Sequence, residues 1–334
     1  MRINIENKVE ELSGLTPDTI PASVFDSQVP VILKGLISNW PLVKETGKTS
    51  KLQSYLLSFY QGMPTTCFMA DKATKGRYFY DEQLNALNFS KQTVQLDELL
   101  SNHIEDGQQH FYIGSVNIEQ FLPGLSANNN LPSLTSHSPV TSIWIGNQSR
   151  IAAHQDLPKN LACCVSGRRT FTLFPPDQIA NLYIGPLDFT PAGQAISMVD
   201  FHNPDLEKFP SFSKALAHAQ LAELEPGDAL FLPSMWWHHI EATETFNVLV
   251  NYWWQQQNLS AGAPMDALMH SLLNIKNLPQ PQKQAWKALF DYYVFNNQAG
   301  QDDHIPLTKR GILDSNTELS ARKIRAMLLN KLNR

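Results

Sequence analysis

The spacing of hydrophobic residues divides the chain into a central region of short strands between two regions that contain helices. From about residue 110 to 255, apolar residues form short runs separated by turn residues, such as Pro175-Pro176 and Pro226-Gly227. Such runs are typical of β-strands; they are HFYIGS, TSIWIG, RTFTLFPP, ISMVDF, DALFLP and FNVLVNYWW. Because helices do not alternate regularly with these runs, we expect an antiparallel barrel or jelly roll and not a parallel sheet.

The residues before this region mix a strand with helices. PVILKG at 30–35 is predicted to be a strand, and SKLQSYLLSFY at 50–60 has the spacing of an amphipathic helix. Thr93–His103 begins with a helix start signal and continues with leucines at helical intervals. We expect these elements to flank the β region.

The residues after the β region return to a helical pattern. Gln282–Asn296 and Asn316–Leu332 each place apolar residues on one broad face. These faces would pack on the barrel or pair with a second copy, and the basic residues of the last helix are expected to be solvated: Arg322, Lys323, Arg325 and Lys331. The predicted division is therefore mixed α/β elements at 1–109, a β core at 110–258 and a helical region at 259–334.

Composition and charge describe an ordinary globular protein. The 334 residues are 43% hydrophobic and 17% charged, and the net charge of −5 gives no general attraction for nucleic acid or an anionic membrane. Three cysteines, Cys67, Cys163 and Cys164, form neither a disulfide framework nor a CxxC metal motif, so we expect free thiols in a reducing compartment. The residues MRINIENKVEELSG lack the apolar run of a signal peptide, and no later apolar segment reaches membrane-spanning length, so the expected location is the cytoplasm.

Side chains from two separate β segments are candidate metal ligands. His154 and Asp156 are two residues apart, so on a strand their side chains would leave the same face. A third ligand would come from MWWHHIEA, where His238 and His239 point to opposite faces of a strand, and the spacing does not say which of them ligates. An isolated HxD pair is weak evidence by itself. Two histidines and one carboxylate on three corners of an octahedron leave three positions open, as in non-haem iron(II) oxygenases.

Several ordered motifs resemble one known family. HQD, GRRTFTLFPPDQ, VDFHNPDLEKFP, EPGDALFLPSMWWHHIEA and NVLVNYWW follow one another as in the JmjC/cupin-like oxygenases, and PVILKGLISNWPL is similar to the N-terminal signature of this family. The resemblance covers roughly residues 25–255. Among the members of this family, the motifs are similar to those of the asparaginyl hydroxylase that inhibits hypoxia-inducible factor. It implies a mainly β fold with flanking helices, a double-stranded β-helix of the jelly-roll type. It also implies an iron(II) ion held by His154, Asp156 and His238, with His239 facing away.

The same resemblance implies a site for 2-oxoglutarate. The far carboxylate of this cosubstrate needs a cation, and Arg169 stands where the related hydroxylase has a lysine. Arginine keeps the charge and can bind a carboxylate through two parallel hydrogen bonds, whereas Arg168 on the other face is expected to be a surface residue. The polar residues that match the cosubstrate pocket by motif are Asn160, Asn251 and, more loosely, Tyr112, and Trp253 is expected to be an aromatic wall.

The implied reaction is hydroxylation coupled to decarboxylation of 2-oxoglutarate, with release of succinate and carbon dioxide. An Arg-Gln pair that holds the substrate amide in the related hydroxylase aligns with Ala195 and Ile196, and a threonine on the cosubstrate side becomes Ile151. We therefore expect a dioxygenase that hydroxylates a protein side chain or an amino-acid-like molecule, and the departures argue against asparagine as its target. The family also contains lysine hydroxylases, histone demethylases and a transfer-RNA hydroxylase, and no motif selects among them.

Two other functions remain open at this point. A cupin metalloenzyme that does not use 2-oxoglutarate would need no residue to bind a carboxylate far from the metal. The presence of Arg169 with Asn160 therefore argues against this function. A catalytically silent JmjC-like binding module is expected to have lost a ligand, and all three ligands are present. The substrate, protein or small molecule, cannot be named from these residues, and nucleic acid is not indicated. A homodimer through the C-terminal helices is expected, because these helices are apolar and the related hydroxylase forms a helical dimer.

Overall fold

The computed structural model contains two compact units, Met1–Gln255 and Gln256–Arg334. It describes residues 3, 5–45, 49–106, 109–255, 262–296, 298–313 and 318–332, with side chains for these ranges except 102–106. All of the described strands belong to the first unit. The candidate metal ligands lie in that unit as well.

Nine of the described strands form one sheet, in which neighbours are antiparallel except for a parallel pair at one edge. Across the sheet the order is β1 (Glu10–Leu12), β2 (Val31–Leu33), β12 (Ala229–Leu232), β9 (Lys159–Ser166), β14 (Asn247–Trp254), β7 (Val140–Gly146), β6 (Gln109–Asn117), β3 (Thr65–Asp71) and β5 (Phe89–Val94). The parallel pair is β1 and β2.

A second sheet of five strands carries two of the candidate metal ligands. Its order is β11 (Gln220–Leu224), β10 (Arg169–Phe174), β13 (Trp237–Ala242), β8 (Ser149–His154) and β4 (Arg77–Tyr78). Only β4 and β8 are parallel among these neighbours. Strands far apart in sequence are neighbours in both sheets, and the two sheets together form a jelly roll. The fold predicted from the sequence is therefore confirmed.

Both faces of the larger sheet are buried at its centre, as β9 illustrates. Leu161, Cys163 and Val165 belong to an apolar core that includes residues of the N-terminal helices. The alternate residues Ala162 and Cys164 belong to a second core shared with Phe171 and Leu173 of β10 and with residues of the larger sheet. Because successive side chains of a strand point to opposite faces, β9 separates these two cores. This double burial explains why the residues LACCV in the middle of β9 are all apolar and do not alternate with polar residues.

Helices of the first unit are mostly short. They are α1 (Ala22–Phe25), α2 (Pro41–Lys44), α3 (Thr49–Leu57), α4 (Leu96–Asp106), α5 (Ile118–Phe121) and α6 (Phe212–His218). The predicted helix at 50–60 corresponds to α3. The predicted helix at 93–103 begins later than expected, because Thr93 and Val94 are used by β5, which pairs them with Thr66 and Thr65 of β3.

One predicted strand is absent. ISMVDF at 196–201 makes only an isolated bridge between Ser197 and Ile184. The hydroxyl of Ser197 donates to the carbonyl of Leu182 at 2.6 Å and accepts from the amide of Val199 at 3.2 Å. A short side chain that bonds the backbone in this way favours a turn over a strand, which the alternation of apolar residues does not reveal.

The second unit consists of helices and turns in its described parts. The helices are α7 (Pro264–Asn274), α8 (Gln280–Phe290) and α9 (Glu318–Leu332), and α8 continues as a π-helical turn over Asp291–Phe295. The predicted helix at Gln282–Asn296 thus corresponds to α8 with this turn, whereas the predicted start at Asn316 lies outside the described residues. None of the described helices is long and apolar enough to cross a bilayer.

Large apolar side chains of this second unit are exposed. Trp286 is 45% exposed, Leu289 44% and Phe295 71%. None of its described apolar side chains is buried. A stable soluble unit rarely exposes so much apolar surface unless that surface has a partner.

Candidate metal and cosubstrate site

Residues from both sheets line a cavity of about 380 Å³ in the first unit. His154 is the last residue of β8 and lies directly opposite His238 of β13 in the strand pairing. Their imidazole ring centroids are 4.2 Å apart, and Nε2 of His238 lies 3.5 Å from Oδ2 of Asp156. One nitrogen or oxygen atom from each of the three side chains lies within 4.8 Å of the others. The structure therefore brings the three predicted metal ligands together.

Asp156 reaches the site from a loop and not from a strand. Strand β8 ends at His154, so the prediction that both residues lie on one strand is wrong for Asp156. Its backbone carbonyl accepts a hydrogen bond of 2.8 Å from the amide of Met235, which belongs to the turn before β13. Met235 has a positive φ of 66°, an uncommon conformation for a residue other than glycine. The turn that leads to His238 and the loop that carries Asp156 are thus held together.

Backbone contacts orient both histidines for metal binding. Nδ1 of His154 lies 3.0 Å from the carbonyl of Ala152, and Nδ1 of His238 lies 2.9 Å from the carbonyl of Trp236. A carbonyl can only accept, so each Nδ1 carries the proton and each Nε2 is left as a free lone pair. Burial, together with the nearby His238, lowers the pKa of His154 to about 4. This imidazole is therefore neutral at pH 7, which is the form that binds a metal.

The Asp156 carboxylate is ionised and has a hydrogen-bond partner on one oxygen. Burial alone would raise its pKa, but the adjacent His238 and His154 side chains and the Gln194 amide together lower the pKa to about 2. Nε2 of Gln194 donates to Oδ1 of Asp156 at 3.0 Å, while Oδ2 faces the histidines. Gln194 was missed in the sequence. The only signal was its position next to Ala195, where the Arg-Gln pair of the related hydroxylase was aligned.

His239 faces away from the metal ligands. Its Nε2 donates to Oε1 of Glu241 at 3.0 Å, and Nε2 of His202 lies 2.8 Å from the other oxygen of that carboxylate. Burial opposes ionisation of Glu241, but these hydrogen bonds from His239 and His202 outweigh it and lower the pKa of Glu241 to about 2. His238 is therefore the histidine of the pair that can reach a metal beside His154.

Arg169 is a buried cation without a protein anion. Its side chain lines the cavity and the residue is 3% exposed. Nε has no hydrogen-bond partner, and no carboxylate of the described residues lies within ion-pair distance of the guanidinium. Burial lowers its pKa, but arginine stays charged in proteins. A buried cation of this kind needs an anionic ligand, whereas Arg168 is exposed, with Glu225 at 4.0 Å.

The position of Arg169 along its strand suits an elongated ligand. In the pairing of β10 with β13, Arg169 lies opposite Ala242 and Leu173 lies opposite His238. Four residues of strand correspond to about 14 Å, a distance that a long side chain and a five-carbon dicarboxylate can span together. Burial raises the pKa of Tyr112 even though the nearby Arg169 acts to lower it, so the Tyr112 hydroxyl stays protonated close to this cation.

The other predicted cosubstrate residues line the same cavity. Nδ2 of Asn251 donates to Oδ1 of Asn160 at 2.8 Å, which leaves Oδ1 of Asn251 buried without a partner. The indole rings of Trp253 and Trp144 meet edge to face at 5.9 Å, and neither Nε1 has a hydrogen-bond partner. Trp144 was not predicted, because inside TSIWIG it looked like an ordinary core residue.

The donor set of the cavity fits iron(II) and 2-oxoglutarate. Two imidazole nitrogens and one carboxylate are the ligands typical of non-haem iron(II) oxygenases. Buried donors without protein partners, among them Nε of Arg169 and Nε1 of Trp144 and Trp253, call for a ligand rich in acceptor oxygens. Ile151 and Ile196 line the cavity as apolar groups, in keeping with the departures found in the sequence, and Ala195 is not part of its wall.

Comparison with known proteins assigns the chain to a family. A family model described as a cupin-like domain matches residues 17–260. The chain is 35% identical over 259 residues to HSPB1-associated protein 1 of Mus musculus, covering 73% of this chain and 52% of that protein. It is 27% identical over 235 residues to lysine-specific demethylase 8 of Xenopus tropicalis, covering 68% and 48%. It is also 23% identical over 274 residues to tRNA wybutosine-synthesizing protein 5 of Mus musculus, covering 74% and 78%.

The extent of these matches decides what they establish. The chain spans about half the length of the first two of these relatives, so their whole activities do not transfer to it directly. The family match, by contrast, covers most of the jelly roll and all three metal ligands. The chain therefore belongs to the cupin-like domain family, the JmjC-like group that its motifs resemble, and its His-Asp-His site fits iron(II) and 2-oxoglutarate.

Proposed function

We propose that this protein is an iron(II)- and 2-oxoglutarate-dependent dioxygenase that hydroxylates an uncharged group of a protein side chain or of an amino-acid-like molecule. One observation carries the proposal. The cavity that contains the converging ligand atoms of His154, Asp156 and His238 also contains Arg169, a buried cation with no anion among the described protein residues. A metal site alone would not require that cation.

The protein's own residues hold and shield the reacting groups. Iron(II) with 2-oxoglutarate supplies dioxygen activation coupled to decarboxylation. His154 and His238 present their Nε2 atoms to the metal position, and Gln194 fixes the orientation of the Asp156 carboxylate. Arg169 supplies the charge that orients the far carboxylate of the cosubstrate. Aromatic side chains form part of the cavity wall, and a surrounding of low polarity strengthens each of these electrostatic contacts.

The charges around the cavity favour a substrate group that is not cationic. Among the described residues that line it, Asp156 is the one carboxylate; Gln194 donates to one of its oxygens, and the metal would take the other. Lys91 is the outer charged residue, with Nζ 5.2 Å from the centre of the Phe68 ring. A cationic side chain would find no free anion here and would be repelled by Lys91. We therefore favour hydroxylation over removal of methyl groups from a cationic lysine, although two of the relatives are named lysine-specific demethylases.

The experiment is turnover of 2-oxoglutarate by the purified protein with iron(II) under air. We expect succinate to form, and peptides or amino acids that are substrates to increase its rate. His154→Ala and Asp156→Ala should each abolish succinate formation, because each removes a ligand that positions the metal. His218→Ala is the matched control, since His218 is exposed on α6 and lies outside the cavity. Unchanged turnover in either ligand variant would refute the assignment of ligands.

The same measurements separate the alternatives. A cupin metalloenzyme that does not use 2-oxoglutarate would bind the metal but form no succinate with any substrate. A catalytically silent module would form no succinate and would bind iron(II) no better in the wild type than in the Asp156→Ala variant. Either outcome would end the proposal.

We also propose that the second unit pairs with a second copy of the chain. Apolar side chains on each of its helices are exposed, including Met269 of α7, Trp286 of α8 and Leu328 of α9. Burial of apolar surface contributes about 25 cal/mol for each Å². Pairing of two identical units would cover this surface without a further partner.

A reducing compartment such as the cytoplasm suits the cysteines. Cys67, Cys163 and Cys164 are free and buried. Burial raises the pKa of the Cys67 thiol to about 12, so this thiol is inert at pH 7. We propose that all three act as small apolar residues of the core.

A further inference from the structure

Tyr78 lies in the cavity wall beside the metal-binding strand, and neither the motifs nor the ligand geometry assigns it a role. It belongs to β4, which pairs in parallel with β8, and its direct partner in the pairing is Ile151. Tyr78 and Ile151 both line the cavity. Paired residues of a sheet point to the same face. The Tyr78 ring therefore lies on the side of the sheet that faces the cavity, which His154 at the end of β8 also lines.

The hydroxyl of Tyr78 has no partner in the protein. The residue is 3% exposed, and its hydroxyl oxygen is buried without a hydrogen bond. The rings of Phe89 and Tyr112 lie 5.4 and 5.6 Å from its ring. Buried polar groups are nearly always paired in folded proteins. Burial raises the pKa of Tyr78 further above its ordinary value, so the hydroxyl keeps its proton and can donate it.

The surroundings of this hydroxyl indicate what it would donate to. Tyr78 is next to Tyr112, and the pKa of Tyr112 responds to the charge of Arg169. The three residues line one cavity, whose only carboxylate among the described residues is Asp156, and that group already has its own partners. An acceptor for the Tyr78 hydroxyl must therefore come with a ligand, and Arg169 requires that ligand to be anionic.

We propose that the Tyr78 hydroxyl donates a hydrogen bond to the far carboxylate of 2-oxoglutarate, as a second phenol beside Tyr112, and so helps to select a dicarboxylic oxo acid. This inference rests on the proposed function. Tyr78 is a cosubstrate-binding residue in this scheme and takes no part in the chemistry. Its contribution depends on the far carboxylate alone, so ligands that lack this carboxylate should not sense it.

The experiment compares two ligands that differ at one end. The protein is loaded with manganese(II), which is redox-inert here, and titrated calorimetrically without oxygen with 2-oxoglutarate and with 2-oxopentanoate, which has a methyl group in place of the far carboxylate. Tyr78→Phe should weaken 2-oxoglutarate binding roughly ten- to a hundredfold, as expected for one hydrogen bond to a charged group. It should leave the affinities for 2-oxopentanoate and for manganese(II) unchanged.

Tyr252→Phe is the matched control. Tyr252 is also a buried tyrosine, but its hydroxyl donates to the carbonyl of Asn129 at 3.3 Å and it is not part of the cavity wall. This variant should bind both oxo acids as the wild type does. Because the Tyr78 hydroxyl is unpaired in the protein, Tyr78→Phe should also keep or raise the melting temperature of the ligand-free protein, whereas Tyr252→Phe should lower it.

The possible outcomes are distinguishable. If the wild type binds 2-oxoglutarate no better than 2-oxopentanoate, both the proposed function and the role of Tyr78 are wrong. If the wild type prefers 2-oxoglutarate and Tyr78→Phe binds it equally well, only the role of Tyr78 is wrong. An equal loss for both ligands would mean that Tyr78 acts through the shape of the cavity, and this would also overturn the inference.

Discussion

Replacing Arg169 with methionine should stabilise the ligand-free protein and at the same time weaken its binding of 2-oxoglutarate. Arg169 is 3% exposed, its Nε has no hydrogen-bond partner, and burial lowers its pKa. Methionine fills a similar length with apolar atoms and is well suited to irregular gaps. The substitution therefore removes an unfavourable buried charge without opening a large cavity.

The magnitudes follow from the burial. A buried donor without a partner costs about 1–3 kcal/mol, and an unpaired buried charge costs more. We expect the free energy of unfolding of the metal-free protein to rise by about 1–3 kcal/mol, and its melting temperature by about 2–4 °C for each kcal/mol. Removing one partner of a buried, hydrogen-bonded charge pair costs about 2–5 kcal/mol. Binding of 2-oxoglutarate should therefore weaken by roughly 30-fold to several thousand-fold.

Two measurements on the same protein samples test whether Arg169→Met raises the stability and lowers the affinity for 2-oxoglutarate. Urea unfolding of the metal-free protein gives the stability, and calorimetric titration of the manganese(II)-loaded protein gives the affinity. Arg168→Met is the control, because the Arg168 side chain is 71% exposed and should change neither quantity. Arg169→Lys keeps the charge but loses the parallel pair of bonds, so its affinity should be intermediate. An Arg169→Met variant that is less stable, or that binds 2-oxoglutarate as the wild type does, would refute the reasoning.

Other predictions concern the support of the metal site, the acid stability and the second unit. Gln194→Leu removes the hydrogen bond to Asp156 and should weaken manganese(II) binding about tenfold or more, as measured by electron paramagnetic resonance; an unchanged affinity would mean that Asp156 is oriented without this bond. Because the pKa of Glu241 falls from 4.5 to about 2 on folding, the unfolded chain takes up this proton first as the pH is lowered. Its stabilising contribution is therefore present above pH 4.5 and is lost as the pH falls towards 2. In urea unfolding, the free energy of unfolding of the wild type should therefore fall by about 2 kcal/mol between pH 5 and 3 as a result of this group, and Glu241→Gln should lack this part of the decrease. The same decrease with pH in both proteins would contradict the prediction. Trp286→Glu with Leu289→Glu should convert a dimer into a monomer in sedimentation equilibrium, while a wild type that is monomeric at micromolar concentration would contradict the pairing.

Local sequence was sufficient where neighbouring residues decide the structure. The strand runs around β7, β10 and β14 were predictable because their apolar residues are continuous and are bounded by turn residues. The opposite directions of His238 and His239 follow from strand geometry alone. Which of them faces the metal does not, because that choice depends on the pairing of β13 with β8, far away in the sequence.

The parts that could not be predicted depend on contacts between distant segments. ISMVDF has the alternation of a strand, but its pairing is limited to an isolated bridge between Ser197 and Ile184, and the Ser197 hydroxyl bonds to the backbone of Leu182. Gln194 is 38 residues from Asp156, and nothing near either residue indicates their hydrogen bond. Tyr78 joins the site only because the two-residue strand β4 pairs with β8. Such positions are set by tertiary structure, which overrides local preference.

The unpaired polar atoms of the first unit are concentrated where a ligand would bind. Among the described residues, a set of buried side-chain atoms without partners lines the cavity that contains the metal ligands: Tyr78 Oη, Trp144 Nε1, Arg169 Nε, Asn251 Oδ1 and Trp253 Nε1. Each such atom costs about 1–3 kcal/mol, and together they are a sizeable part of a net stability of about 5–15 kcal/mol. Proteins tolerate unpaired buried polar atoms, and the loss of stability that they cause, mainly at functional sites. All of these atoms except the Asn251 oxygen can donate, and one of them belongs to a cation, so a ligand that pairs them must be anionic and rich in acceptor oxygens. An apolar or cationic ligand would leave them unpaired, which is the physical reason to place an oxo dicarboxylate beside the metal.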